Sequence, residues 1–81
     1  MLQPKIKIGR CYEFKLSKDR KIAFAVMYRF ESGKNKDVYA LMMYTDKKIF
    51  EFPIHKRLFD KWVDKGRVRE ITSDEALAYA I

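Results

Sequence analysis

The sequence predicts a strand-rich α+β domain: a four-stranded antiparallel meander curling toward a small barrel, then a helix, a short fifth strand and a short C-terminal helix. Three observations carry this. Apolar residues alternate with polar ones through the first half, the period changes to that of a helix after residue 55, and a helix-start signal stands near the C-terminus. With 81 residues the chain is expected to be a single small domain, 1–81, near the lower limit for one unstapled core. Large rings make such a core feasible, because each buries much area.

Ile6-Lys7-Ile8 and Tyr12-Glu13-Phe14-Lys15-Leu16 place apolar residues at even positions, the period of a half-buried strand. Gly9 between them reads as a bend or bulge. The polar run Ser17-Lys18-Asp19-Arg20 is a hairpin turn. In the second strand Ile22, Phe24, Val26, Tyr28 and Phe30 share one face. Ala23, Ala25 and Met27 share the other, where two alanines leave room for a close approach. Residues 31–37 are a loop by composition. Val38 to Tyr44 is apolar at every position, as suits a strand covered on both faces. Asp46-Lys47 is a short turn, and Ile49 to Ile54 is a fourth strand. Pro53 cannot donate to a ladder, which assigns it to an edge or to the strand's end.

Leu58, Phe59, Trp62 and Val63 then form one stripe of a helix over about 56–65, with Lys56, Arg57, Asp60, Lys61 and Asp64 on its other side. Gly66 stands where a C-cap glycine belongs. A short strand is expected at about 67–71. Thr72 and Glu75 fit a capping box that opens a helix at about 73–80, with Leu77 and Ile81 on one face. Short connections make the first four strands neighbours. Such a sheet either curls into an SH3-like barrel or stays open with the Trp62 helix across one face. The expected core is Phe14, Phe24, Val26, Tyr28, Phe52, Leu58, Phe59, Trp62 and Val68. The chain carries no family motif.

The search for chemistry is short. Nucleophilic catalysis needs a nucleophile, a base and an orienting group, and the sole histidine, His55, has no patterned partner. It reads as a surface residue at a helix start. Cys11 reads as a small packing residue, and alone it forms no internal disulfide. Two Cys/His residues fall short of a structural zinc site, and three isolated glycines make no phosphate cradle. A non-enzyme without metal or cofactor is expected. The basic N-terminus leads into no apolar run, and the longest apolar stretch is far below the ~20 residues a membrane span needs. The expectation is a cytoplasmic protein with no membrane partner.

Charge is uneven. Residues 1–36 hold ten Lys/Arg and three Asp/Glu, whereas residues 37–81 hold eight of each. The excess indicates a binding module facing a polyanion, with nucleic acid (RNA or DNA) as partner. Lys5, Lys7, Lys15, Lys18, Arg20, Lys21, Arg29, Lys34 and Lys36 would neutralise phosphates. Aromatic platforms for bases are thin in this reading, because Tyr12, Phe14, Phe24, Tyr28 and Phe30 share the expected core face. The alternative is a protein-interaction module, an adaptor, inhibitor or immunity-type protein, or a homodimer, using Tyr39, Leu41, Met43 and Ile81 as an exposed patch.

Overall fold

The computed structural model describes residues 6–65 and 67–81. Its elements run β1 (Cys11–Lys15), β2 (Lys21–Arg29), β3 (Val38–Thr45), β4 (Lys48–His55), α1 (Lys56–Asp64), β5 (Val68–Ile71) and α2 (Ser73–Ala78). The strands make one antiparallel sheet in the order β4-β3-β2-β1-β5. β4 and β5 are its two edges among the described residues, so the sheet is open there, as in the second of the two expected arrangements. Pro53 lies on edge strand β4, where a missing N–H is tolerated.

Each face carries a helix. On the first face Tyr12, Phe14, Ile22, Phe24, Val26, Tyr39, Leu41, Met43, Ile54 and Val68 pack with Phe59 and Val63 of α1. Phe59 sits at the centre, its ring 5.6 Å from Phe24 and 5.0 Å from Tyr39. Half-buried Trp62 stacks on Phe14 at 4.3 Å. Since β4 and β5 lie at opposite edges, α1 crosses the first face to join them. On the second face Ala76 of α2 packs on Ala23 and Ile71, with Cys11, Tyr44 and Tyr79 at the margin. The two alanines of β2 admit this helix, as their size allows.

Several expectations need correction. Tyr39, Leu41 and Met43 are core residues, so they form no exposed patch. The apolar run of β3 gives no hint of which side faces in. The pairs Phe24↔Met43 and Val26↔Leu41 put the odd residues inward. Tyr28 is not in the core but 52% exposed. A bulge inserts Met27 between the pairs Val26↔Leu41 and Tyr28↔Ala40, and one extra residue turns every later side chain to the opposite face. Phe52 and Leu58 are exposed at 37% and 51%. Five strands at about 4.8 Å make a sheet about 19 Å wide, and one helix about 10 Å across cannot cover it. Phe52 on the edge and Leu58 on the helix flank are left uncovered.

Smaller differences lie at element ends. The first strand begins at Cys11, because Gly9 turns the chain with φ +88° and its N–H donates to the Val26 carbonyl at 2.7 Å. The helices end at Asp64 and Ala78, and Leu77 is exposed. The capping box forms as expected: the Glu75 N–H donates to Thr72 Oγ1, and the Thr72 N–H donates to Glu75 Oε1, both at 3.1 Å. Lys5 and Gly66 lie outside the described residues.

Candidate functional site

α2 covers the β1–β2 half of the second face and reaches Tyr44 of β3 at its margin, leaving the rest of the β3–β4 half open. The even residues of β3, Val38, Ala40, Met42 and Tyr44, are all half-buried there. Ile49 of β4, opposite Tyr44, is 54% exposed. The bulge adds Tyr28, opposite Ala40. Phe30 follows it: its N–H donates to the Val38 carbonyl at 3.0 Å, and its ring meets Tyr28 edge-to-face at 4.8 Å. An apolar strip with three aromatic side chains therefore runs along β3 from Phe30 and Tyr28 to Tyr44. Charge pattern and period do not reveal it, since strict alternation hides Tyr28 and Phe30 in the core.

The expected cations divide between the two ends of the sheet, about 26 Å apart over the nine residues of β2. Lys15, Lys18, Arg20 and Lys21 gather at the β1–β2 hairpin, beside Lys47 and Lys48 of the β3–β4 hairpin and Lys65 and Arg67 before β5. Asp19, Asp46 and Asp64 lie at the same end, and Lys21 also approaches Glu13 at 3.9 Å. Arg20 bridges the two hairpins through Asp46 at 3.5 Å. Lys15, Leu16, Ser17, Lys18 and Arg67 line a hollow of about 240 Å³. Lys34 and Lys36 occupy the β2–β3 loop at the other end, next to Phe30 and Val38.

Lys7 and Arg29 do not join either group. They line a separate cleft with Ile6, Ile8, Glu31 and Tyr39. The bulge is again the reason, because Arg29 now faces Tyr39 on the first face. Its hydrogen bond to Tyr39 holds the guanidinium above its ordinary pKa. Ile81, the remaining candidate, is 87% exposed.

One buried polar cluster stands beside the strip. Glu13 accepts two hydrogen bonds from Arg69, at 3.1 and 3.3 Å, and one from the Tyr79 hydroxyl. Lys21 approaches it at 3.9 Å. Burial alone would raise the Glu13 pKa, but the Tyr79 and Arg69 hydrogen bonds hold it below the usual value. Tyr79 is pushed up to about 12 by burial and by donating to Glu13. The cluster clamps α2 to the sheet and so bounds the open strip.

His55 caps α1, its Nδ1 accepting from the Arg57 N–H at 3.1 Å. Burial raises the pKa of the Cys11 thiol. Among the described residues no three His, Cys, Asp or Glu converge in a metal-binding group. No helix among them is long and apolar enough to cross a membrane. Comparison with family models, curated proteins and solved structures gives no match, so the functional reading rests on this geometry.

Proposed function

We propose that this chain is a non-catalytic binding module that engages nucleic acid by neutralising its phosphates. One observation carries the reading: cations border the open strip at both ends, Lys34 and Lys36 at one and Lys15, Lys18, Arg20 and Lys21 at the other. Lys7 and Arg29 lie off this track. The remaining cations are exposed and sit in loops or at strand ends, where long side chains reach a ligand without disturbing the core.

A salt titration tests it. Affinity is expected to fall steeply with salt, by a log–log slope of about 0.9 per phosphate contact on duplex DNA and about 0.7 on a single strand. Replacing Lys18, Arg20 and Lys21 with Gln is expected to weaken binding and flatten that slope by about two units or more. The control is Lys56, Arg57 and Lys61 changed to Gln. Equal losses from the two sets would mean that net charge, and not these positions, drives association.

A second reading has its own observation. Phe50 and Phe52 of edge strand β4 and Leu58 of α1 are exposed apolar residues outside the strip. Such residues suit a protein partner held by buried anchors, with little salt dependence. In that case the hairpin cations matter little, and binding survives high salt.

A further inference from the structure

We infer that the open half of the second face takes the unpaired bases of a single nucleic-acid strand laid along β3, stacked against Tyr28 and Phe30 at one end and Tyr44 at the other. This rests on the phosphate-binding reading above and adds which form of nucleic acid is bound and how.

The strip has the parts such a ligand needs. Bases stack on flat rings whatever their identity, and the backbone needs cations along its path. Tyr28 is half exposed, and its edge-to-face contact with Phe30 fixes the pair while occupying one ring face only. Ala40 keeps the floor low between Tyr28 and Met42. β3 spans about 23 Å over its eight residues, room for about four nucleotides, at the small end of sheet-based sites. Lys34 and Lys36 stand where the track begins, and Lys21 and Arg20 where it ends.

A duplex gains nothing from the strip, because its bases are paired and stacked on one another and offer no free face. A second copy of the chain fits poorly with like ends together. The hairpin end holds Lys15, Lys18, Arg20, Lys21, Lys47, Lys48, Lys65 and Arg67 beside Asp19, Asp46 and Asp64, so a copy laid on the track in that direction sets cations against cations. At the loop end Glu31 and Asp37 balance Lys34 and Lys36. Glu51, on the same face in β4, repels phosphate and confines the backbone to the β2–β3 side.

The test uses fluorescence anisotropy on the full chain, with labelled strands of about twelve nucleotides, as RNA and as DNA, each alone and in its duplex. Tighter binding of either single strand than of its duplex is expected. Tyr28→Leu keeps apolar bulk but removes the ring, and is expected to weaken single-strand binding about tenfold while leaving the salt slope unchanged. Tyr28→Trp is expected to restore it. Thermal melts of both variants confirm that they are folded, as an exposed position allows.

Equal affinity for single strand and duplex, with Tyr28→Leu silent, overturns the inference and leaves the phosphate reading standing. No binding to any strand at low salt removes both. A dimer in sedimentation that Tyr28→Leu dissociates shows a second copy on the strip, and also overturns the inference.

Discussion

Glu13 and Tyr79 are 66 residues apart, and no local pattern pairs them. Glu13 stands at an odd position of an alternating strand and reads as a solvent-facing charge. The structure instead buries it under α2, where Arg69 and Tyr79 satisfy its oxygens. A buried carboxylate without such partners would be costly. The depressed Glu13 pKa contributes stability above the ordinary glutamate value of 4.5, lost as pH falls below it. The raised Tyr79 pKa works in the other direction. Its contribution is complete below pH 10.0 and is lost as pH rises toward about 12. Tyr79→Phe is expected to lower stability by about 1.5–3 kcal/mol at neutral pH, the usual worth of a hydrogen bond to a charged group. It should also abolish this part of the alkaline loss. Thermal melts of parent and variant across pH 9 to 12 check both. Parallel decline of the two curves would mean that the Tyr79 hydroxyl does not hold α2.

The strands show most clearly where sequence reasoning succeeds and where it stops. Alternation located β2 and its core side chains up to Val26, and of the two places Pro53 allowed β4, an edge or a strand end, the edge is the one found. Alternation has no memory of an inserted residue, however. The Met27 bulge leaves composition unchanged but reverses the side of Tyr28, Arg29 and Phe30. The candidate platform was therefore illegible. β3 was ambiguous for another reason, since an all-apolar run fits either parity. The β3–β4 turn carries strain the sequence hints at only weakly. Asp46 and Lys47 both take left-handed conformations, φ +46° and +62°, as a two-residue turn with the twist of its strands requires. Aspartate tolerates this better than lysine. Lys47→Gly is expected to stabilise the fold by about 0.5–1 kcal/mol, or several degrees in Tm. A lower Tm on calorimetry would show that Lys47 is not strained.

Across the whole molecule, the sheet's two edges and two faces are managed by different means. The C-terminal third of the chain supplies both helices and the β5 edge, so the meander is closed over by segments remote in sequence. The sequence identified these elements to within a residue or two, but not their placement. Short segments with one apolar stripe fit a barrel or an open sheet equally well. The stripe also does not say which of its two rings, Phe59 or Trp62, anchors α1. Trp62 is the largest ring on the helix, yet it is half-buried on Phe14, whereas Phe59 is fully buried between Phe24 and Tyr39. Cost on truncation follows burial and the cavity left behind, not size alone. Phe59→Ala is therefore expected to cost about 3–5 kcal/mol, comparable to the whole margin of so small a core. That variant should be largely unfolded at room temperature. Trp62→Ala is expected to cost about 2 kcal/mol and to remain folded with a lower midpoint. Urea titrations followed by far-UV circular dichroism distinguish the two. A Trp62→Ala variant as unfolded as Phe59→Ala would place the weight of the helix at its C-terminal end, over β1 and β5. It would mean that α1 anchors the hairpin end of the sheet more than its centre.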